Sequence, residues 1–244
     1  MPLPEKQLRA RDAKRDLGAE LLVSIREMKA GQGAVLGRFP TSTKKTGDAK
    51  TKPAPRVIVF AGPNGAGKSA HADAILAKLN IETFVNADYI ARGLSGHNTD
   101  AVAFETGRIM LKRLHQLADT KADFAFESTL SSRTFALFLR TLKTHGYAVV
   151  IYYFSLRSAQ LAVRRVKLRV SLGGHHVPSD VVQRRFGRSL SNFFTLYAPL
   201  ADEWTLFDNS EDSIARVLAT QSANHLTIEE ATPWQRLQKL SKIF

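Results

Sequence analysis

The sequence predicts an α/β fold, with a parallel sheet flanked by helices. A glycine-rich motif at residues 62–69 (GPNGAGKS) lies between a β-branched apolar run, residues 57–61, and a helical segment, residues 70–79. Further apolar runs then alternate with helical segments, which is typical of strands connected by helices. Residues 148–154 are continuously apolar, as expected of a strand covered on both faces.

An N-terminal extension precedes this α/β domain. Apolar residues at spacings of three and four within residues 5–29 predict an amphipathic helix, and a glycine-containing stretch ends it. Residues 39–55 are polar, basic and proline-containing, which is typical of a linker. We therefore predict a helical extension at 1–38, a linker at 39–55 and the α/β domain at 56–244. Either the helix buries its apolar stripe, or it is a frayed extension.

The motif at residues 62–69 matches G-x-x-x-x-G-K-[ST], the phosphate-binding P-loop. Its glycines let backbone N–H groups turn towards phosphate oxygens at the N-terminus of the next helix. Lys68 is predicted to reach the β- and γ-phosphates, and the Ser69 hydroxyl to ligate Mg²⁺. The sequence therefore predicts a site for ATP and Mg²⁺, formed by Gly62, Pro63, Asn64, Gly65, Ala66, Gly67, Lys68, Ser69 and Ala70.

The remaining elements follow in chain order and imply right-handed crossovers between parallel strands. Strands are predicted at residues 83–85, 124–126, 148–154 and 204–207, the last of these being the final strand of the sheet. Helices are predicted at residues 99–120, 132–145 and 158–172, in a second basic segment after Pro178, and in an amphipathic tail after Ile228. No internal repeat is visible.

Composition limits the class of protein. The chain has 244 residues, 44% of them hydrophobic, which suits one domain with an appendage. It has no cysteine, so disulfides and thiolate metal sites are excluded, in agreement with a reducing compartment. Its apolar runs are too short to span a bilayer, and its N-terminus lacks an apolar signal region. We expect a soluble, cytoplasmic protein with no membrane partner.

The net charge of +13 invites a nucleic-acid interpretation, but the charge is localised. Residues 1–56 hold 13 Lys/Arg against 6 Asp/Glu, and residues 157–188 hold 8 Lys/Arg against Asp180 alone. The remainder of the chain is close to neutral. Two local basic segments are therefore favoured over one continuous nucleic-acid face, and nucleic acid is not the expected partner.

Polar residues follow the predicted strands at the edge where ligands of open α/β sheets bind. Asp88 is the candidate base for deprotonating an attacking hydroxyl, and the alternative is that it caps a helix. Glu127 is a candidate for holding substrate hydroxyls, or Mg²⁺ through water, and the alternative is a solvated loop acid. Ser128 and Thr129 follow it and are also predicted to contact the substrate.

A basic lid is predicted at residues 157–190. Arg165 and Arg169 lie on the side of their helix opposite its apolar stripe. A Gly-Gly break at residues 173–174 separates this helix from the second basic segment. Cations of a closing lid would stabilise a transferring phosphoryl group, and the alternative is a solvated basic face. The candidates on the second segment are Arg184, Arg185 and Arg188, and His175 with His176 could join the lid.

Five segments in this order resemble the zeta-toxin group of P-loop kinases: GPNGAGKS, VNADYIA, FAFESTLS, RRVKLRVSLGGHHVP with RRFGRS, and DEWTLFDNS. The resemblance covers roughly residues 56–210. It implies a fold related to small-molecule and nucleotide kinases, with a helical lid. It also implies ATP-dependent phosphorylation of a UDP-activated amino sugar, typically UDP-N-acetylglucosamine at its 3′-hydroxyl, which starves peptidoglycan synthesis.

The same resemblance implies roles for individual residues. Asp88 takes the role of the base, and Glu127 with Thr129 that of holding the acceptor. The first lid arginine corresponds most nearly to Arg165. The second corresponds to the region of His175, where no arginine stands, so Arg169 or Arg185 is expected to substitute. Asn209, in the last motif, is predicted as a nucleotide-binding residue.

Three functions stay open from the sequence. The leading one is a zeta-toxin-type kinase, and the others are a polynucleotide kinase and an ATP-binding regulator without turnover. The resemblance also implies an antitoxin partner that blocks the nucleotide site with a helix. Residues 21–33 (LLVSIREMKAGQG) look like segments of bacterial antitoxins. Residues 5–29 are therefore predicted to inhibit in cis, and the alternative is an antitoxin supplied in trans.

Overall fold

A seven-stranded sheet forms the centre of the molecule. The structure is a computed structural model that describes residues 53–95, 102–174, 176–211, 214–223 and 225–244. In order of position the strands are β2-β3-β1-β4-β5-β6-β7. The pairs up to β5 are parallel, and β6 and β7 are antiparallel. The strands are β1 (Arg56–Ala61), β2 (Phe84–Val85), β3 (Phe124–Ser128), β4 (Ala148–Ser155), β5 (Glu203–Asp208), β6 (Arg216–Ser222) and β7 (His225–Ile228).

Helices connect the parallel strands, which confirms the predicted α/β class. They are α1 (Lys68–Leu79), α2 (Ala87–Ser95), α3 (Ala103–Asp119), α4 (Thr134–Thr144), α5 (Ala159–Ser171), α6 (Ser179–Asn192) and α7 (Ala231–Ser241). A π-helical turn, Phe193–Tyr197, continues α6. Ser158 starts α5, because its Oγ accepts a hydrogen bond from the Leu161 amide, as an N-cap residue does.

The core consists of two apolar layers, one on each face of the sheet. Successive side chains of a strand point to opposite faces, so Val57 and Val59 enter one layer while Ile58 and Phe60 enter the other. All four are at most 1% exposed. The first layer also contains buried residues of α3, α4 and α7, and the second those of α1 and α5. Burial on both faces explains the unbroken apolar run of β4.

The helix after β2 differs from the prediction. The sequence predicted one helix at residues 99–120, but the chain forms α2 directly after β2, and α3 begins at Ala103. Asn86 starts α2, because its Oδ1 accepts a hydrogen bond of 2.8 Å from the Asp88 amide. Residues 96–101 lie outside the described part of the chain.

Residues 204–207 form a strand, β5, but the prediction that it is the last strand of the sheet was wrong. β6 and β7 extend the sheet beyond β5 as an antiparallel hairpin. β7 alternates polar and apolar residues (HLTI), but it is only four residues long and all four are exposed, so the alternation is too short to predict a strand from sequence.

The predicted helix at residues 5–29 and most of the predicted linker lie outside the described residues. The described chain starts at Pro53, and the Pro55 carbonyl accepts a hydrogen bond from the Ala148 amide at the start of β4. The chain therefore enters the sheet at the amino-terminal ends of its parallel strands. Within the described residues, no helix is both long enough and apolar enough to cross a membrane.

Candidate active site

The P-loop connects the end of β1 to α1, whose first residue is Lys68. Gly62, Gly65 and Gly67 have φ values of 136°, 78° and 78°, which favour glycine. A Cβ atom on Gly62 would lie 2.2 Å from the Phe154 carbonyl oxygen, so a side chain there would collide with β4. The loop therefore presses its backbone against the sheet and turns at the N-terminus of a helix, where phosphate groups bind.

Glu127 is the second-to-last residue of β3, and its side chain contacts the P-loop directly. Its Oε2 accepts hydrogen bonds from Ser69 Oγ at 2.5 Å and Asn86 Nδ2 at 3.0 Å. Its Oε1 lies 3.5 Å from Lys68 Nζ, and the Lys68 side chain is only 6% exposed. Lys68 Nζ also donates to the Pro63 carbonyl. The carboxylate predicted on the acceptor side thus lies beside the predicted phosphate and Mg²⁺ residues.

These residues fit a magnesium–nucleotide complex. The Ser69 hydroxyl and the Glu127 carboxylate offer the oxygen ligands that Mg²⁺ prefers, directly or through water. Lys68 adds a cation, and the glycine turns add backbone N–H groups. Asn64 Oδ1, at the tip of the loop, is buried and has no hydrogen-bond partner among the described residues.

Asp88 is the second residue of α2, and Asn86 takes the capping position. The Asp88 carboxylate is 45% exposed, and its Oδ2 lies 3.6 Å from an Arg169 guanidinium nitrogen. Within the described residues no capping bond occupies the Asp88 carboxylate, which α2 places beside Arg169. Through Arg169, helix α5 contacts the same carboxylate.

The two arginines of α5 have different partners. Arg165 donates hydrogen bonds to the carbonyls of Asn209 at 2.5 Å, Ser210 at 3.3 Å and Glu211 at 3.4 Å. Arg169, one helical turn later, contacts Asp88. Helix α6 packs on α5 and buries Val182, Phe186 and Leu190, so only part of the predicted lid is exposed.

The other predicted lid residues lie on or before α6. Arg184 and Arg188 are exposed, and Arg185 is half-buried. Across the ranges that the structure describes, Arg185 forms no hydrogen bond or ion pair with Asp88 or Glu127. His176 is exposed, and His175 lies outside the described residues.

The loop after β3 has a fixed shape. Ser128 Oγ accepts a hydrogen bond from the Leu130 amide, and Thr129 Oγ1 shares a 2.9 Å hydrogen bond with Ser131 Oγ. Leu130 is fully buried at a φ of 52°, a conformation that is uncommon for leucine. Asn192, at the end of α6, stabilises it by donating to the Leu130 carbonyl at 2.8 Å. The predicted hydroxyls thus belong to a loop held by α6.

Asn209 directly follows β5, and its Nδ2 donates a 2.9 Å hydrogen bond to the Ala66 carbonyl of the P-loop. His71 of α1 hydrogen-bonds to Asn209 and stacks on Phe154, with ring centres 5.0 Å apart. Burial lowers the pKa of His71, the hydrogen bond to Asn209 opposes this, and nearby Arg165 lowers the pKa further. His71 is therefore neutral at pH 7.

Sequence reasoning missed three residues of this region: His71, Asn86 and Asn192. Asn86 carried a usable signal, since asparagine between a strand and a helix is a preferred N-cap. His71 and Asn192 carried none, because their partners are remote in the sequence.

Known proteins resemble this chain in sequence and in fold. A family model described as Zeta toxin matches residues 41–215. An uncharacterized protein of Haemophilus influenzae (strain ATCC 51907 / DSM 11121 / KW20 / Rd) is 28% identical over 134 residues, which are 54% of this chain and 92% of that protein.

Two solved structures share the fold. The AvrRxo1-ORF1:-ORF2 complex with ATP has a TM-score of 0.63 and 16% identity, covering 92% of this chain and 68% of that one. The PezAT chromosomal toxin-antitoxin system of Streptococcus pneumoniae has a TM-score of 0.52 and 14% identity, covering 91% and 87%. Because the matched segment of the family model spans more than half of the chain and contains the P-loop, Asp88, Glu127 and Asn209, this chain belongs to the zeta toxin family of P-loop kinases.

Proposed function

We propose that this protein is an ATP-dependent kinase that phosphorylates a hydroxyl of a UDP-activated amino sugar, UDP-N-acetylglucosamine being the leading acceptor. The observation that carries the proposal is that Glu127 joins Lys68 and Ser69 of the P-loop, while Asp88 stands on a separate wall beside Arg169. One wall suits the nucleotide phosphates, and the other suits a hydroxyl that must lose a proton. Family membership supports phosphotransferase chemistry at this site.

In the proposed mechanism, residues 62–70 bind the ATP phosphates through backbone N–H groups and Lys68. Mg²⁺, when held by Ser69 and Glu127, would neutralise the charge on the phosphates. The acceptor oxygen attacks the γ-phosphorus as the bond to the β,γ-bridging oxygen breaks and ADP leaves. The hydroxyl proton passes to the Asp88 carboxylate. Arg169 and Arg165 add positive charge on the lid side, where charge develops during transfer.

The class of acceptor rests on the family resemblance. We assign its hydroxyls to Ser128 and Thr129, whose loop follows Glu127, and to Asp88. Arg185, on α6, is the further candidate for binding the anionic diphosphate of a UDP-sugar. Because Glu127 is occupied by Ser69 and Asn86, we assign it to the Mg²⁺ side rather than to the acceptor.

A product screen tests this function. The protein is incubated with Mg²⁺ and ATP together with UDP-sugars, free sugars or RNA ends, and products are sought by mass. We expect the mass of one phosphate to be added to a UDP-amino sugar and to no other acceptor. Lys68→Ala serves as the inactive control. Hydrolysis of ATP without any phosphorylated acceptor would contradict the proposed transfer, and binding without turnover would favour a regulatory protein.

The charge of α5 and α6 favours one alternative, a polynucleotide kinase. Residues 157–188 carry 8 Lys/Arg against one acidic residue, and Arg164, Lys167, Arg184 and Arg188 are exposed. Phosphorylation of RNA ends that weakens steeply with added salt would support that alternative. A UDP-sugar kinase contacts few phosphates, so its rate should depend far less on salt.

We further propose that an antitoxin helix restrains the enzyme, supplied either in cis by residues 5–29 or in trans by a separate protein. PezAT, which shares the fold, is a toxin-antitoxin system. The cis arrangement needs a tether that passes the sheet, because Pro55 lies at the amino-terminal ends of the strands and the P-loop at the carboxyl ends. A strand of 6 residues spans about 20 Å. A flexible chain of 17 residues has a root-mean-square span of about 20–25 Å, so a linker of the length predicted at 39–55 is long enough to cover this distance.

A further inference from the structure

Residues 209–211, called the linking segment below, touch both the P-loop and the lid helix. The Asn209 side chain donates to the Ala66 carbonyl of the P-loop at 2.9 Å. The three carbonyls of the same segment accept hydrogen bonds from the Arg165 guanidinium of α5. One short stretch of backbone after β5 therefore holds the nucleotide loop with a side chain and the lid helix with its main chain.

Close packing leaves little room for independent movement at this junction. A Cβ atom on Gly67 would lie 2.4 Å from Asn209 Nδ2, so the amide rests against the P-loop backbone. His71 hydrogen-bonds to Asn209 from α1 and is itself stacked on Phe154. Phe154 stacks in turn on Phe207, with ring centres 4.8 Å apart. The Asn209 amide is thus fixed from two sides by rigid groups.

The other end of α5 reaches the acceptor wall. Arg165 and Arg169 are four residues apart on one helix, so a shift of α5 moves both. Arg169 lies 3.6 Å from Asp88. A continuous series of contacts therefore runs from Ala66 through Asn209 and Arg165 to Arg169 and the candidate base.

We propose that Asn209 is a positioning residue that couples nucleotide binding at the P-loop to the placement of α5, and through Arg169 to Asp88. This inference rests on the proposed binding of ATP. When the P-loop adjusts to phosphates, the Ala66 carbonyl carries the Asn209 amide with it. The linking segment then transmits the change to Arg165. Arg169 already lies 3.6 Å from Asp88 in this structure, so under this arrangement a filled nucleotide loop holds the lid arginine more firmly at the acceptor wall.

Hydrogen–deuterium exchange of the full chain tests the coupling without knowledge of the acceptor. The probe is a non-hydrolysable ATP analogue with Mg²⁺. In the wild-type protein we expect it to slow exchange in residues 62–69 and also in residues 159–171. Asn209→Leu keeps a similar side-chain volume and the main-chain carbonyls, adds no charge beside the P-loop, and cannot donate to Ala66. We expect this variant to retain slowing in the P-loop and to lose it in α5.

A second variant makes the outcome independent of nucleotide affinity. Arg165→Ala leaves the bond between Asn209 and Ala66 intact and removes only the lid half of the junction. It should bind the analogue and lose the slowing in α5, whereas Lys167→Ala, an exposed residue of the same helix, should behave as the wild type. Melting temperatures measured without ligand separate this uncoupling from a general loss of stability.

The possible outcomes separate the two proposals. If the analogue slows neither segment in the wild type, the proposed nucleotide binding fails. If it slows the P-loop but not α5 in the wild type, nucleotide binding stands and the coupling is refuted. If α5 responds equally in Arg165→Ala and the wild type, the signal passes through the direct contact of Gly65 with Ala162 instead, and the role of Asn209 is refuted.

Discussion

The Asp88 carboxylate, our proposed base, is not used to cap α2, because Asn86 takes that position. Asn86 caps the helix with its Oδ1 and contacts Glu127 with its Nδ2. The Asp88 carboxylate is therefore left to interact across the site, where Arg169 approaches it. Asn86 caps the helix, and Asp88, two residues later, is the proposed base.

Asp88→Asn should abolish phosphoryl transfer while leaving the fold and ATP binding almost unchanged. The amide keeps the shape of the carboxylate but cannot accept the proton, and loss of a general base costs about 10²–10⁴-fold in rate. Turnover is measured with the acceptor found in the product screen, and ATP affinity by titration.

Lys68→Ala is the matched comparison for this prediction. It should weaken both ATP binding and transfer, because Lys68 is the buried cation of the P-loop. If Asp88→Asn kept more than about a tenth of the wild-type turnover, Asp88 would not be the base. Normal turnover by Lys68→Ala would contradict the kinase mechanism itself.

At the scale of secondary structure, α2 depends on its cap. Asn86→Ala removes the side chain that accepts the Asp88 amide, and loss of such a cap costs about 0.5–2 kcal/mol in the free energy of unfolding. Asn86→Ser removes the contact with Glu127 but retains an oxygen that can cap. Urea unfolding should therefore rank the wild type above Ser and Ser above Ala. Equal stability of the two variants would show that the cap contributes nothing.

The two arginines of α5 contact different parts of the molecule, Arg165 the carbonyls of residues 209–211 and Arg169 the Asp88 carboxylate. Arg169→Ala should lower kcat more than it changes ATP affinity, because a cation facing the acceptor wall acts mainly on charge that develops during transfer. Lys167→Ala removes an equal charge from the exposed side of the same helix and should have little effect. The measurement is steady-state kinetics with both substrates varied.

An unchanged kcat in Arg169→Ala would show that Arg169 has no role in transfer and belongs to a solvated basic face. A rise in KM for ATP alone would instead place Arg169 with the nucleotide. Either result would leave the Asp88 prediction intact, because the base and the lid cation are tested separately.

At the scale of the whole molecule, the tether between the N-terminal segment and the domain is the feature to test. Removing residues 1–52 leaves the bond between Pro55 and Ala148 in place. If residues 5–29 inhibit in cis, this truncation should raise kinase activity and growth inhibition in cells. A tethered helix reaches an effective concentration near the millimolar range, so even a weak contact would be largely occupied.

Adding a peptide of residues 1–38 to the truncated protein is the complementary test and should restore inhibition at high concentration. Equal activity of two folded proteins, full-length and truncated, would rule out inhibition in cis and leave an antitoxin in trans. A truncated protein that fails to fold would instead assign the segment to stability.

The sequence by itself determined the α/β class, the P-loop and the alternation of most strands and helices along the chain. These features are encoded locally: glycine spacing specifies the P-loop, and apolar periodicity specifies which elements are buried. The same local signals failed at β7, whose four exposed residues are too short a stretch for their alternation to be decisive, and at α2, whose start depends on a single capping residue.

Only the tertiary structure decided which side chains meet. Glu127 contacts Ser69 because β3 lies beside β1 in the sheet, although 58 residues separate the two in sequence. Asn209 reaches Ala66 across 143 residues, and that contact depends on the ends of β1 and β5 lying at the same edge. Arg165 and Arg169 look equivalent in sequence, but the packing of α5 gives one of them backbone carbonyls and the other Asp88. Contacts of this kind depend on strand order and helix packing, which a local pattern does not specify.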